Sequence, residues 1–349
     1  MAAAAEPTTP GDTFLTYGHD AALRAVARAV HSEHPPHALL LVGPRGVGKT
    51  TLALDLAAGL LCLADDPAAR PCRGCAACRK VAADGHADLH RLAPEGAGEQ
   101  IRIGQVQQLV TDLSLTAMEG RFRVALITAA HRLNLDAQNA LLKTLEEPGP
   151  STCLVLCADD AEPLLPTVLS RSARLRLAPL PVETLTQRLI DGGRAQPAQA
   201  RALAIAAGGR PGLALRLASE PEAVLARTRI SRTLLELAEA DRRTRLGAAA
   251  GLIADGAAVD AALRGELAPA AKRLQPAQRR RAVQSVIDVW RDLGRDLAVA
   301  ARGDGAGIRD LDQLEELRDR GARVDEPALH RFLDRLDRLT LAIEGYASP

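Results

Sequence analysis

Three groups of residues in this sequence have the types and spacing to do chemistry. The first is Gly43-Pro44-Arg45-Gly46-Val47-Gly48-Lys49-Thr50-Thr51. Glycines at these spacings let backbone N–H groups converge on phosphate oxygens, and a helix opening at Lys49 adds the positive end of its dipole. Lys49 is then placed to reach the β- and γ-phosphates, and the Thr50 hydroxyl to ligate Mg²⁺. A chance glycine turn is the simpler rival, but it needs no strand before it and no helix after it. This stretch has both. The candidate ligand is therefore ATP or ADP with Mg²⁺.

The second group is Cys62, Cys72, Cys75 and Cys78, a C-x9-C-x2-C-x2-C series. Four thiolates suit a closed tetrahedral zinc ion, and the short spacings let a tight turn present successive sulfurs to it. Buried or redox thiols are the alternative. With no open coordination position, such a zinc would be structural. His86 and His90 follow closely but are surplus to four sulfurs, so they read as ordinary polar residues. Cys153 and Cys157 lie in an apolar run and read as core.

The third is Arg171, in Leu165-Pro166-Thr167-Val168-Leu169-Ser170-Arg171-Ser172. A guanidinium stays charged and can fork onto a phosphate, which is how one subunit completes another's phosphate site. Taken alone, a surface ion pair explains it equally well.

The elements that must position these groups alternate. Ala21–Val30 has helical spacing, and Ala38-Leu39-Leu40-Leu41-Val42 is a short buried strand ending at Gly43. A helix runs from Lys49 toward Leu61, and cysteines and small residues interrupt the pattern until about Asp84. Val124–Ile127 is a second strand, Asn134–Glu147 a helix stopped by Pro148, Cys153–Cys157 a third strand and Ala173–Leu177 a fourth. Strands alternating with helices predict an α/β fold, a parallel sheet with helices on both faces. Near Pro179-Leu180-Pro181 the pattern becomes wholly helical. Thr184–Ile190 and Gln199–Ala207 form a small group ending at Gly208-Gly209. Beyond Pro221 the helices are amphipathic, with Val283, Val286, Ile287, Trp290, Leu293 and Leu297 on one face, and Leu329, Phe332, Leu333, Leu336, Leu339 and Ile343 on another. Gly303–Gly307 reads as a loop, and Arg279-Arg280-Arg281 as a solvated face.

Composition narrows the function. The 349 residues suggest roughly two to three domains. Forty-four Lys and Arg against 43 Asp and Glu leave a formal net charge of +1, and only 2% of residues are aromatic. That excludes neither partners nor DNA at second hand, but it argues against a chain that grips a nucleic-acid backbone or stacks bases by itself. The first ten residues lack the pattern of a signal peptide, and no unbroken apolar run approaches the ~18 residues of a membrane span. A cytoplasmic setting is expected, and a reducing one favours metal over disulfides for the clustered cysteines.

A phosphate loop that hydrolyses needs acidic residues at the end of a neighbouring strand. The strand Arg123–Ile127 runs into Thr128-Ala129-Ala130-His131, and Asp136 comes too late. The expectation is nucleotide binding without turnover.

Further stretches carry a resemblance: Tyr17-Gly18-His19-Asp20, His37-Ala38-Leu39-Leu40, Gly85-His86-Ala87-Asp88-Leu89, Asn139-Ala140-Leu141-Leu142-Lys143-Thr144-Leu145-Glu146-Glu147-Pro148 and Pro166–Arg171. With the phosphate loop and the cysteines, they make residues 14 to 180 closely resemble the bacterial DNA polymerase III clamp-loader family of AAA+ proteins, its delta-prime branch in particular. The resemblance implies a RecA-like AAA+ domain over 14–179 after a flexible tail (1–13), with a zinc insertion at about 62–84. A helical lid (180–220) and an all-α collar for oligomerisation (221–349) would follow. It further implies a stator in a pentamer with gamma/tau and delta subunits, acting on the sliding clamp and primed DNA within the polymerase III holoenzyme. Arg171 matches the arginine finger offered to a neighbour's ATP. Thr128 and Ala129 stand where motor members carry Asp and Glu, Gly212 stands where they carry a lid arginine, and Ser172 replaces a family Cys. Two rivals remain open: a gamma/tau-type ATPase motor, and a zinc-dependent DNA-binding module.

Overall fold

The computed structural model describes residues 13–94, 100–264, 274–302 and 325–345, together with Glu315 and Asp319. The expected tail (1–13), apart from Thr13, and the expected loop at Gly303–Gly307 lie outside them. The chain divides into two compact units, Met1–Pro179 and Leu180–Pro349.

In the first unit, short apolar runs bounded by Gly, Pro or polar residues become strands. They are β1 (Ala38–Val42), β2 (Leu89–Leu92), β3 (Arg123–Ile127), β4 (Thr152–Ala158) and β5 (Ala173–Arg176). All pairings are parallel, in the order β2-β3-β4-β1-β5. The three central strands alternate between two cores. Leu39, Leu41, Leu126 and Val155 face α1 (Asp20–His31) and α2 (Lys49–Leu61), while Leu40, Ile127, Leu154 and Leu156 face α4 (Ile103–Ser114) and α5 (Leu135–Glu146). Burial on both faces is why these strands read as continuous apolar runs.

Several elements escape the sequence reading, among them three in the segment from 76 to 114. The strand β2 is Leu-His-Arg-Leu at the sheet edge, with no apolar run to reveal it. A short helix, α3 (Ala76–Ala82), lies inside the cysteine segment, and α4 was not anticipated. The motif around Asp88 acquires a physical role here. Its fully buried carboxylate accepts the N–H groups of Met118, Glu119 and Gly120 at 2.7, 2.8 and 2.9 Å, which fixes the turn leading into β3. Burial pushes its pKa up, but those three N–H groups and Arg123 outweigh burial and hold it below the ordinary carboxylate range.

The second unit is helical: α7 (Val182–Asp191), α8 (Pro197–Ala206), α9 (Pro211–Ser219), α10 (Pro221–Glu239), α11 (Arg242–Arg264), α12 (Pro276–Ala301) and α13 (Glu326–Gly345), with α6 (Pro166–Ser170) belonging to the first unit. By length and composition α11 could cross a membrane. Its Asp255 and Asp260, however, pair with Arg229 of α10 and Arg281 of α12, and Leu252 and Val259 join a core with Ile230 and Val286. It is a packed helix of this unit. Arg281 thus takes the basic run partly out of solvent. Arg210 and Arg227 converge on Asp292 at 3.0 and 2.5 Å, tying α12 to α10 and to the start of α9. On α13, Leu329 and Leu336 are buried whereas Leu339 is exposed.

Candidate functional site

The phosphate loop leaves the C-terminal end of β1. The Gly43 N–H donates to Ala158 O of β4 at 3.2 Å, so the two neighbouring strands fix where the loop starts. Its residue has to be glycine, because a Cβ there would lie 2.2 Å from Leu177 O. Gly48 caps α2 with φ +114°, a left-handed conformation that other residues adopt at a cost. His19 Nε2 donates to Val47 O at 2.9 Å. That contact accounts for His19 of the Tyr17–Asp20 motif, which sequence reading could quote but not explain. Arg45 is exposed on the loop, and Thr50 and Thr51 stand half-buried in the first turn of α2.

Lys49 is buried, and its ammonium donates three hydrogen bonds: to Gly43 O at 2.5 Å, to Pro44 O at 3.1 Å and to Asp159 Oδ1 at 2.7 Å. Asp159 follows β4, the strand beside β1. A carboxylate therefore does adjoin the loop, contrary to what inspection of β3 alone suggested. At the end of β3 itself, Thr128 Oγ1 donates to Leu92 O at 3.3 Å. His131 Nδ1 accepts the Asp159 N–H at 3.1 Å, and its Nε2 lies 3.7 Å from Asp159 Oδ2. Burial pushes the Asp159 carboxyl up, but Lys49 and then His131 outweigh it and hold it below its usual range. Sequence reasoning missed Asp159 because it looked only at the end of β3, whereas this Asp-Asp pair follows β4.

The four cysteine sulfurs lie within 4.8 Å of one another, with Cys62 and Cys75 4.0 Å apart. Tetrahedral zinc with bonds of about 2.3 Å would set them about 3.8 Å apart, so the cluster could hold zinc with little movement. Cys62 ends α2, Cys75 caps α3 and Cys78 lies in its first turn, while Arg73 in a left-handed conformation turns the chain after Cys72. Burial raises Cys62 and Cys78. At Cys75 burial is outweighed by the N–H groups of Cys78 and Leu63, and its thiol falls to about 6. A thiolate is thus ready at neutral pH, the form a metal needs. The knuckle is tied to the fold through Asp55 of α2, which accepts from the Arg73 guanidinium and from the N–H groups of Leu15 and Thr16. His86 takes no part among the sulfurs and is buried, and His90 lies 3.2 Å from Arg123. Cys153 and Cys157 are fully buried core residues, their thiols pushed up to about 12 by burial.

Arg171 sits at the other end of the sheet. Register pairs Leu39 with Ala173 and Val42 with Arg176, so Arg171 is level with His37 at the N-terminal edge of β1. The phosphate loop begins six positions further on, about 20 Å along the strand direction. The guanidinium is partly exposed, pairs with Glu146 Oε1 at 2.8 Å and donates to Thr167 O and Ser170 Oγ at 3.3 Å each. The Ser172 hydroxyl, buried, donates to Val168 O at 2.9 Å, so serine completes this turn without a thiol.

Residues 18–181 match the family model described as DNA polymerase III, delta subunit. Over that stretch the chain is similar to DNA polymerase III subunits. It is 42% identical over 196 residues to DNA polymerase III subunit delta' of Pseudomonas aeruginosa, covering 54% of this chain and 57% of that one. The delta' subunit of Bacillus subtilis is 34% identical over 182 residues, covering 52% and 54%. The tau subunit of Salmonella typhimurium is 35% identical over 172 residues, covering 49% of this chain and 26% of tau. The chain thus spans about half the length of the delta' relatives it matches. The segment Asn139–Pro148 is now legible physically: Leu141 and Leu145 of α5 pack under the sheet, and Glu146 holds Arg171.

Proposed function

We propose that this chain is the delta-prime stator of a DNA polymerase III clamp loader, working in the cytoplasm in a pentamer with gamma/tau and delta. In that assembly it helps load the sliding clamp on primed DNA and turns over no nucleotide itself. The chemistry it contributes is the Arg171 guanidinium, lent to ATP on a neighbouring gamma/tau subunit, where it would offset charge developing on the transferred phosphoryl group. One observation supports this most. Arg171 stands at the opposite sheet edge from its own phosphate loop, partly exposed, so its reach is toward another molecule. The residues from Gly43 to Thr51 are read as a nucleotide site in which Thr50 would meet Mg²⁺. The four cysteines are read as holding a structural zinc that braces the end of α2. The segment 180–220 is read as the lid and 221–349 as the collar.

The test is Arg171→Ala in the reconstituted loader. Assembly should survive while clamp-stimulated ATP turnover falls by a factor of roughly 10² to 10³; unchanged turnover refutes the trans role. The motor reading draws on the intact loop and the tau relatives. It predicts ATP turnover by the purified chain above a Lys49→Ala control.

A further inference from the structure

We infer that Asp159 sets which nucleotide the phosphate loop accepts: it favours a nucleoside diphosphate and disfavours the triphosphate. The inference rests on residues 43–51 being a phosphate loop, and not on the trans role of Arg171.

An ammonium has three N–H donors. On Lys49 all three are committed, two to the carbonyls of Gly43 and Pro44 within the loop and one to the Asp159 carboxylate. In a phosphate loop this lysine is shared between the β- and γ-phosphates. A triphosphate therefore asks for more of Lys49 than a diphosphate does, and it brings its extra negative charge toward the atom that Asp159 already neutralises. Removing one acceptor from a charge-assisted hydrogen bond while adding a like charge beside it is doubly unfavourable.

The backbone of Asp159 is fixed, while its side chain is 40% exposed. Its strand is stitched to β1, with Val42 paired to Ala158 and the Gly43 N–H on Ala158 O. Its own N–H is held by His131 Nδ1, and His131 Nε2 faces its second oxygen. A neutral residue at 159 would leave the lysine with its two carbonyl partners but no carboxylate. Lys49 is buried, which weakens screening of its partner. The carboxylate thus behaves as a built-in occupant of the position that a terminal phosphate needs.

The experiment is a fluorescence titration of the full chain with mant-ADP and with a mant-labelled non-hydrolysable ATP analogue, each with Mg²⁺. Wild type is expected to bind mant-ADP roughly tenfold more tightly than the triphosphate analogue. Asp159→Asn should tighten the triphosphate by a similar factor, leave mant-ADP within about threefold, and so close the gap. Asp159→Ser repeats the measurement without the amide, and thermal melts confirm that both variants fold. Lys49→Ala should abolish the preference. An unchanged ratio in both Asp159 variants overturns the role of Asp159 alone. Failure of wild type and both variants to bind either nucleotide overturns it together with the phosphate-loop reading. Neither result touches Arg171, whose test is turnover in the assembled loader.

Discussion

The two ends of the central sheet each carry a basic side chain held by a carboxylate, and they are held differently. At the C-terminal edge, Lys49 is buried and makes three hydrogen bonds to groups fixed by β1 and β4. At the N-terminal edge, Arg171 is about a third exposed and leans on Glu146, itself half exposed, and on two weak acceptors of its own turn. A buried charge with every donor committed is costly to move, whereas an exposed pair is worth little and is easily exchanged for a better partner. The same sheet thus presents one cation that is locked inward and one that is available outward. On the proposed function, this difference is what would separate a subunit that lends a charge from one that consumes nucleotide.

Several changes would break or sharpen that contrast. The largest effect is expected from comparing single variants in the assembled loader. Clamp-stimulated turnover should fall roughly 10²-fold or more with Arg171→Ala, yet stay within about twofold with Lys49→Ala. Equal losses would erase the distinction between the two ends. Next is the knuckle that closes α2, the helix opened by the phosphate loop. Cys75→Ser should release one zinc per chain by elemental analysis and lower stability by more than about 3 kcal/mol, while assembly through the helical unit persists. A wild-type chain with no zinc removes that site. Smaller is the acid response. The Asp88 and Asp159 carboxyls are both held low, so what they contribute to stability is complete above about pH 5 and is lost as pH falls through and below about 3.9. Acid unfolding of Asp159→Asn should therefore be less steep than that of wild type. The smallest is Glu146→Gln. A solvent-exposed pair supplies at most about 1 kcal/mol, so turnover should stay within about fivefold. A loss as deep as that of Arg171→Ala would mean that Glu146 positions the guanidinium.

Much of this was legible in advance because its signal is local. The phosphate loop is written in consecutive residues, and Gly43 and Gly48 have backbone reasons to be glycine that any sequence placing a strand before and a helix after them must meet. The cysteines announced themselves by spacing, and the central strands by unbroken apolar runs. What was not legible depended on neighbours distant in the chain. The strand β2 is polar, and only pairing with β3 makes it a strand. Asp159 lies 110 residues from Lys49, and only the order β3-β4-β1 brings them together. Asp88 looks like any surface aspartate until the turn at 118–120 closes over it.

Residue type and short-range order alone determined the chemistry on offer: a loop shaped for phosphate, four sulfurs for one ion and a permanently charged guanidinium. Such properties need only a few bonds of chain to be specified. Which of these groups face one another was decided by the parallel sheet. Strand order and register set Arg171 and Lys49 at opposite edges and Asp159 against the lysine, because hydrogen-bonded strands fix relative positions over distances that no local propensity can encode.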